Sequence, residues 1–351
     1  MQKMVLIDSV YINKSGGKIL LEYLIKYILD KKEEYNFYFL LDKRNDISNI
    51  INIQLLNYEY LPPSERLRRK FYNNNIDLFS SVLCFANVPP PIKIKDKIVS
   101  IYFHNVLLAD YCKANLTTFH KLKSIIKKYY IKLINHSSYN WFAQTPIIKN
   151  ILIDKIGIKS EMVSVMPFFD ITNFKNCNEL KNDNYKNYLY VADSSSQKNH
   201  LQLLQAWEIF TQKPENKQYT LHLTLPRTSS KIILEKIEFL KNKGSIIINH
   251  NECSVQKIRE LYKISNYFIY PSLAESFGLP LIEATSAGCK IIASNLPYVF
   301  NIIEPSLIFN PNDYQCILNA LITSKDYSSV KNSKLLVENN IDQLLNTIKY
   351  V

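Results

Sequence analysis

Apolar runs with the length of a β-strand alternate with helical stretches along almost the whole chain of 351 residues. This alternation is typical of parallel sheets with helices on both faces, because parallel strands need a crossover between them. In the first half the runs are residues 4–11, 37–41, 82–86, 98–103, 141–144 and 163–166. In the second half they are residues 188–191, 220–225, 245–249, 267–270, 290–293 and 307–309. The sequence therefore predicts an α/β fold of two Rossmann-like domains.

A polar, Asn-rich segment without clear periodicity separates the two halves near residues 168–186. The chain is long enough for two domains that each bury a core. We predict a first domain over residues 1–170, a second over residues 171–332, and a final helical segment over residues 333–351.

Composition narrows the class of protein. Hydrophobic residues make up 47% of the chain, yet no apolar run approaches the ~18 residues of a membrane-spanning helix. The first residues lack the apolar region and cleavage site of a signal peptide, so we expect a cytoplasmic location. Six cysteines lie far apart without a C-x-x-C pair, which favours neither a disulfide framework nor a zinc site. The formal charge of +12 favours an anionic partner: a nucleotide diphosphate, a lipid headgroup surface or nucleic acid.

Glycine is scarce, with only six in the chain, so its positions are informative. Gly16 and Gly17 follow the first predicted strand, and Gly278 and Gly288 bracket the helix predicted after residues 267–270. In open parallel sheets, ligands lie at the carboxyl ends of strands, where glycine lets the backbone approach a phosphate. Both glycine pairs are therefore candidates for a phosphate-binding site.

The segment YFIYPSLAESFGLPLIEATSAGCKIIASN predicts a strand, a loop and then a helix that begins near Leu279, with Pro280 in its first turn. The free N–H groups of Gly278 and Leu279 would point from this helix start towards an anion. Glu275 lies in the loop and Glu283 about one turn inside the helix, so that both carboxylates can face the same cleft. The segment therefore predicts a diphosphate site whose carboxylates receive a sugar hydroxyl and a ribose diol. The alternative is a helix start whose acidic residues only complement its dipole.

The E-x7-E spacing across this loop and helix, followed by a small-residue turn and IIASN, resembles the signature of family 4 glycosyltransferases (glycosyl transferases group 1) of the bacterial surface-polysaccharide type. Two further segments of the second half agree: KNHLQLLQAW resembles the family's lysine-bearing helix start, and NLPYVFNIIEPSLIFNPND resembles its closing segment. The resemblance implies a GT-B fold, with the sheets of an acceptor-side first domain and a nucleotide-sugar-binding second domain facing each other across a cleft. It also implies that the final helix packs back on the first domain.

Carried over residue by residue, the resemblance implies that Glu275 contacts the donor hexose, that Glu283 holds the ribose hydroxyls, and that Lys198 neutralises the leaving diphosphate. The backbone N–H groups offered to the donor are those of Phe277, Gly278 and Leu279.

One position departs from the family. Its members usually carry an arginine a few residues before the lysine, and Asp193 occupies that place here. Either Lys198 alone compensates or Arg227 reaches in from the neighbouring strand, since the arginine fork suits phosphate oxygens. We predict a donor-binding role for Arg227, with a simple loop charge as the alternative.

The first half matches the family more weakly. The segment NKSGGKILLEYLI, with Gly16 and Gly17, resembles the family's Gly-rich loop and implies a donor contact, whereas the alternative is a tight turn. It lacks the spacing of a Walker loop, and no G-x-G-x-x-G occurs, which disfavours P-loop nucleotidases and dinucleotide dehydrogenases. His104 ends a predicted strand, where related enzymes place a histidine or aspartate against the donor sugar. A structural histidine is the alternative.

The segment FHKLKSIIKKYYIKLI predicts an amphipathic basic helix. Its apolar positions at helical spacing are Phe119, Leu122, Ile126, Tyr129 and Leu133, and its lysines are Lys121, Lys123, Lys127, Lys128 and Lys132. This helix can dock on anionic lipid, as can the nearby Arg66, Arg68, Arg69 and Lys70. The alternative is a helix whose apolar face meets the core and whose basic face meets water.

The resemblance implies transfer of a hexose-type sugar, with retention and without a metal or other cofactor, from a nucleotide diphosphate sugar to a saccharide acceptor. We expect an acceptor linked to undecaprenyl diphosphate, in O-antigen or capsule synthesis on the inner face of the plasma membrane. The alternatives are a sugar-nucleotide epimerase, a phosphorylase, or a non-catalytic nucleotide-sugar-binding subunit, the last suggested by Asp193. Paired carboxylates also suggest a hydrolase, but Glu283 inside a helix suits a diol better. No nucleic-acid-binding module is recognisable.

Overall fold

The computed structural model describes residues 4–106, 118–175 and 186–349, except for the side chains of residues 35 and 118–123. It divides them into two units. The first contains residues 4–106, 118–170 and 338–349, and the second contains residues 171–175 and 186–337. Cys112 and Cys177, and the side chains of Phe119, Lys121, Leu122 and Lys123, lie outside the described residues.

The first unit is built on one parallel sheet with the strand order β3-β2-β1-β4-β5-β6-β7. Its strands are β1 (Met4–Ser9), β2 (Phe37–Asp42), β3 (Asn57–Leu61), β4 (Phe79–Cys84), β5 (Ile98–Phe103), β6 (Asn140–Ala143) and β7 (Val163–Val165). In the register, Ile7 of β1 lies between Phe39 of β2 and Leu83 of β4. All three side chains are fully buried, so this central part of the sheet is covered on both faces, as in other parallel sheets.

The helices of the first unit are α1 (Ser15–Asp30), α2 (Glu65–Asn75), α3 (Thr118–Ile134), α4 (Pro146–Ile151) and α11 (Ile341–Lys349). Helix α2 begins after Ser64, whose hydroxyl accepts a hydrogen bond from the Leu67 N–H. Helix α11 follows the whole second unit in the chain and packs beside β4, where the Ser81 hydroxyl donates to the Ile348 carbonyl at 2.6 Å. The first unit therefore takes its last helix from beyond the second.

The second unit has a parallel sheet of its own, in the order β10-β9-β8-β11-β12-β14. Its strands are β8 (Asn187–Tyr190), β9 (Thr220–Leu223), β10 (Ile246–Asn249), β11 (Tyr267–Tyr270), β12 (Lys290–Ser294) and β14 (Leu307–Phe309), and β13 (Ile303–Glu304) pairs separately with β15 (Lys334–Leu335). Its helices are α5 (His200–Gln212), α6 (Lys231–Asn242), α7 (Val255–Ile264), α8 (Leu279–Ser286), α9 (Pro297–Phe300) and α10 (Tyr314–Thr323). The predicted pair of Rossmann-like domains is confirmed.

The sequence did not predict three of these strands. β3 lies at the edge of its sheet and most of its residues are exposed, so NYEYL lacks an apolar run. β13 and β15 have two residues each, which is too short for a sequence signal.

Each sheet contains one position where the strand order reverses. In the first sheet it lies between β1 and β4, and in the second it lies between β8 and β11. Crossover helices leave such neighbouring strands towards opposite faces, and this opens a crevice at their carboxyl ends where ligands bind. The fold therefore marks one place in each unit where a site is expected.

One predicted surface residue is internal. We expected Arg68 to join a basic surface with its neighbours on α2, but its side chain is 1% exposed. Its Nε donates to Asp8 of β1 at 2.6 Å, and Tyr72 donates to the same carboxylate at 2.7 Å. The prediction was wrong because Arg68 shares the buried face of α2 with Phe71 and Tyr72, three and four residues further on.

Candidate functional site

In the second unit, the loop after β11 leads into α8 through a glycine that the backbone requires. Gly278 caps the helix with φ 77° and ψ 49°, in the left-handed region that favours glycine. Helix α8 then begins at Leu279, as predicted, with Pro280 in its first turn. The first N–H groups of a helix have no acceptor within it, and the helix dipole places partial positive charge there. The loop therefore ends in a helix start suited to an anion.

The predicted residues Lys198 and Glu275 form an ion pair at this edge of the sheet. Lys198 Nζ donates to Glu275 Oε1 at 2.6 Å, and the two side chains are 14% and 13% exposed. Lys198 ends a short 3-10 turn after β8, whereas Glu275 lies in the loop after β11. The pair therefore stands at the carboxyl ends of the two strands between which the order reverses.

Hydrogen bonds tie the two loops together and fix the pair. The Leu273 N–H donates to the Gln197 carbonyl at 2.8 Å, and the Tyr190 hydroxyl donates to the Lys198 carbonyl at 2.7 Å. Asn199 takes a left-handed conformation, with φ 59°, and its side-chain amide donates to the carbonyls of Pro271 and Pro311. The ion pair is therefore held by its supporting loops before any ligand arrives.

Buried tyrosines surround the Glu275 carboxylate. Burial raises the pKa of the Tyr270 and Tyr298 hydroxyls well above the usual value, and the negative charge of Glu275 raises both further. These phenols therefore remain neutral at physiological pH. The positive charge in contact with Glu275 comes from Lys198.

Glu283 lies one turn inside α8 and is half-buried. The hydroxyl of Tyr262, a fully buried residue of α7, donates to Glu283 Oε2 at 3.1 Å. The structure thus places Glu275 before the helix start and Glu283 after it, each held by a contact that the sequence did not predict. Both partners lie far away in the chain, so no local pattern signals them.

Asp193 and Arg227 lie on neighbouring loops. Asp193 Oδ1 accepts from the Ser195 N–H at 2.8 Å and from the Ser195 hydroxyl. Burial acts to raise the pKa of Asp193, but these hydrogen bonds and the charge of Lys198 outweigh it and lower the pKa, so that the side chain is ionised. Arg227 is exposed in the turn after β9, and the Ser230 N–H of that turn donates to the Ser194 hydroxyl at 3.4 Å. The structure therefore brings the arginine's turn to the loop of Asp193.

In the first unit, Gly17 and His104 meet at the carboxyl ends of β1 and β5. Gly16 and Gly17 lie in the first turn of α1, not in the loop before it. A Cβ atom on Gly17 would lie 2.9 Å from His104 Cε1, so the histidine ring requires glycine there. The sequence predicted both residues but not their contact, since the two are far apart in the chain.

Two residues that the sequence did not predict fix His104. Its Nε2 lies 3.0 Å from the Phe85 carbonyl, which can only accept, and 3.3 Å from the side-chain amide nitrogen of Asn87. Asn87, with φ 69°, accepts from the His104 N–H at 2.7 Å. Burial lowers the pKa of His104 to about 4, so the ring is neutral near pH 7.

The structure has two parallel sheets, each with one reversal of strand order, and this is the architecture of the GT-B fold. Residues 173–324 match the model of the family described as glycosyl transferases group 1. The resemblance predicted from the sequence is confirmed.

Similar proteins agree with this assignment. O-antigen chain mannosyltransferase B from Escherichia coli is 27% identical over 137 residues, which are 39% of this chain and 36% of that protein. The chain thus matches about a third of the length of that curated relative. Sucrose-phosphate synthase from Thermosynechococcus elongatus shares the fold with a TM-score of 0.73 at 16% identity, over 99% of this chain and 95% of that one. The HepE protein of Anabaena, in complex with UDP-glucose, has a TM-score of 0.68 at 13% identity, over 93% and 90% of the two chains.

Proposed function

We propose that the chain is a retaining glycosyltransferase that moves a hexose-type sugar from a nucleotide diphosphate sugar to a saccharide acceptor. The observation that carries this proposal is the Lys198–Glu275 pair at the carboxyl ends of β8 and β11. A preformed ion pair beside a helix start, at the point where strand order reverses, offers one group to the leaving phosphate and another to the sugar.

The donor would bind across the start of α8. The N–H groups of Phe277, Gly278 and Leu279 would meet the diphosphate, Glu275 a sugar hydroxyl, and Glu283 the ribose diol. Binding of UDP-glucose by the Anabaena protein of the same fold supports a nucleotide diphosphate sugar as the donor. Arg227 would add charge at the diphosphate in the place of the family's usual arginine, because its turn adjoins the loop of Asp193.

Leaving-group departure is the costly part of the transfer. The bond between the anomeric carbon and the diphosphate oxygen breaks, and its electron pair stays on the diphosphate. Lys198 and the start of α8 would stabilise that charge without a metal ion, and one such preorganised donor is commonly worth roughly 10² to 10³ in rate. The acceptor hydroxyl would then add to the same face of the sugar. Because Glu275 is paired with Lys198, it is better suited to hold a hydroxyl than to attack the anomeric carbon.

His104 would contact the donor sugar from the first unit. In the tautomer that donates Nε2–H to the Phe85 carbonyl, Nδ1 would accept a hydrogen bond from a sugar hydroxyl. Gly16 and Gly17 would keep the approach to this ring clear of side chains, since a Cβ atom on Gly17 would lie 3.5 Å from Nδ1.

The acceptor would be a lipid-linked saccharide of the undecaprenyl-diphosphate type, extended in O-antigen or capsule synthesis at the cytoplasmic face of the membrane. The similarity to an O-antigen chain mannosyltransferase supports this choice and favours mannose among the hexoses. Within residues 4–106, 118–175 and 186–349, no helix has both the length and the apolar character needed to span a bilayer.

Incubation with labelled donors tests the proposal. Purified protein is given UDP-glucose, UDP-galactose or GDP-mannose, with and without a lipid-linked saccharide extract and in the presence of a chelator. We expect one donor to be consumed only when acceptor is present, with a product that keeps the anomeric configuration of the donor by NMR. Conversion of the sugar without acceptor would instead identify an epimerase, and a requirement for inorganic phosphate would identify a phosphorylase.

A second candidate is a non-catalytic nucleotide-sugar-binding subunit. The ionised Asp193 favours it, because it places negative charge where family members usually carry arginine. Nucleotide sugars that raise the melting temperature without turnover across the whole donor panel would support this candidate against the transferase.

A further inference from the structure

Helix α3 carries an apolar stripe that faces water. Ile126, Tyr129 and Leu133 are 60%, 68% and 81% exposed, and their spacing places them on one face of the helix. Ile131, on the opposite face, is fully buried and anchors α3 to the first unit. The core-facing arrangement expected as the alternative for this stripe is therefore wrong: three large side chains turn away from the core.

Basic residues flank this stripe on two helices. Lys127 and Lys132 of α3 are exposed, and α3 has no acidic residue. The Tyr130 hydroxyl donates to Glu65 Oε2 at 2.9 Å, which ties α3 to the first turn of α2. Arg69 of α2 lies near enough to act electrostatically on the Tyr130 hydroxyl. The α2–α3 surface consists of Arg66, Arg69, Lys70, Ile126, Lys127, Tyr129, Lys132 and Leu133, all of them exposed.

The charges on this surface have one sign. Glu65, the acidic residue of α2, is only partly exposed and accepts hydrogen bonds from Tyr11, Arg68 and Tyr130, so the fully exposed charges of the surface are all positive. A second copy of the chain on the same surface would bring these cations together, which repels. A bilayer with anionic headgroups can bind the apolar and the basic side chains together. The apolar side chains enter the boundary of the acyl region, and lysine and arginine reach the phosphates.

We propose that the α2–α3 surface docks on a bilayer containing anionic lipid. This proposal rests on the proposed function in one respect: the docked surface would bring the enzyme to a lipid-linked acceptor. Docking itself depends on the first unit alone. It is therefore testable without any knowledge of donor or acceptor.

Co-sedimentation with vesicles tests the docking. The full chain should bind phosphatidylcholine vesicles that contain phosphatidylglycerol, should not bind phosphatidylcholine alone, and should be released by high salt, which screens exposed charges. Ile126→Ser with Tyr129→Ser and Leu133→Ser should weaken partitioning at least about tenfold. Lys127→Gln with Lys132→Gln should weaken it by about 25-fold, at roughly fivefold for each cation.

Matched controls lie elsewhere on the chain. Ile51→Ser with Leu78→Ser removes comparably exposed apolar side chains, and Lys231→Gln with Lys325→Gln removes the same charge; both should bind vesicles like the unaltered chain. Circular dichroism and melting temperature show that each variant is folded. Unaltered binding by both α3 variants, or equal binding to neutral vesicles, overturns the proposal. A second result also overturns it: the chain binds no vesicles and is a dimer in solution, and Ile126→Ser with Tyr129→Ser and Leu133→Ser converts that dimer to a monomer.

Different measurements test the docking surface and the proposed function. Lys198→Ala should bind vesicles normally while losing sugar transfer, and the α3 variants should keep the thermal shift induced by UDP or GDP. If the chain transfers sugar but ignores vesicles, the docking surface is refuted and the transferase stands. If the chain binds vesicles but turns over no donor, the transferase is refuted and the docking surface stands.

Discussion

The two units carry similar ion pairs at equivalent edges of their sheets, and the pairs differ in burial. Asp8–Arg68 in the first unit and Lys198–Glu275 in the second each have a closest approach of 2.6 Å, and each lies near the position where strand order reverses. The first pair is 1% exposed or less, and the second is 13–14% exposed. Proximity and topology therefore do not distinguish a structural pair from a functional one, whereas access to the crevice does.

The partners of each pair support the same distinction. The Arg68 guanidinium also contacts Glu65, Cys84 and the Val88 carbonyl, so its donors are used within the protein. Lys198 Nζ contacts Glu275 and lies 5.8 Å from the ring centre of Tyr270. An ammonium has three donors, and a partly exposed one can turn a donor to a ligand. The first pair is suited to holding β1 and α2 together, and the second to receiving an anion.

The largest expected effect is on stability. Arg68→Ala leaves Asp8 buried without its cation, and breaking a buried pair in this way costs about 3 to 5 kcal/mol in free energy of unfolding. Urea denaturation measures this loss. Arg69→Ala, the exposed neighbour, should stay within about 0.5 kcal/mol of the unaltered chain. Equal stabilities of the two variants would show that the buried pair is not a structural one.

Loss of the second pair should spare the fold and stop the reaction. Lys198→Ala is expected to lower kcat about 10²- to 10³-fold, because the charge on the leaving diphosphate loses one preorganised donor. Lys243→Ala serves as control, since this lysine pairs with Glu208 at 3.0 Å on the outside of the same unit. Near-full transfer by a folded Lys198→Ala, Glu275→Ala double variant would refute the assignment of the site.

The buried histidine at the edge of the first sheet predicts a pH dependence. The pKa of His104 is lowered to about 4 by burial, so between that value and its unfolded pKa of roughly 6.5 the unfolded chain binds the proton more readily. The contribution of His104 to stability is therefore complete above pH ~6.5 and is lost as the pH falls, by about 2 kcal/mol between pH 7 and pH 5.

Urea titrations at several pH values measure this slope. Burial also lowers the pKa of His200 to about 3 in the second unit, so part of the slope remains when His104 is replaced. His104→Gln should make the slope shallower, because the proton uptake of His104 on unfolding is lost. A slope equal to that of the unaltered chain would rule out a buried neutral His104.

The smallest expected effect concerns Arg227, the proposed substitute for the arginine that family members carry at the position of Asp193. Arg227→Ala should raise the donor KM by only ~2- to 5-fold, because an exposed charge in a flexible side chain contributes little. Lys231→Ala, a few residues further on, should leave KM unchanged. A loss as large as that of Lys198→Ala would make Arg227 an equal partner at the diphosphate, and no change at all would leave Lys198 as the cation proposed for the site.

The sequence predicts which residues lie close together in the chain at each site, but not which distant residues meet there. Glu275, Gly278 and Glu283 lie within one strand-loop-helix segment, where local geometry alone fixes the spacing of a helix start from its flanking carboxylates. The contact of Gly17 with His104 and the pairing of Lys198 with Glu275 are set by which strands lie side by side, and no local pattern contains that information. Two observed partners, Asn87 and Tyr262, were missed for the same reason.

The burial of Arg68 could have been predicted from the helical spacing of its apolar neighbours. Its neighbours on α2 are exposed cations, so a count of charges predicted one basic surface. The apolar residues three and four positions later mark the buried face of the helix and place Arg68 on it. For α3 the periodicity was recognised, but periodicity alone does not say whether an apolar stripe meets the core or the solvent.

The return of α11 to the first unit affects the order of folding during synthesis. The second unit is contiguous in sequence from residue 186 onwards, so it can complete its core as soon as residue 337 leaves the ribosome. The first unit cannot do so at that moment, because the helix that covers β4 and accepts the Ser81 hydrogen bond has not yet emerged. Until then, the nascent first unit would leave an apolar sheet face open to chaperones. A chain truncated after residue 337 should therefore hold a folded second unit and a protease-sensitive first one.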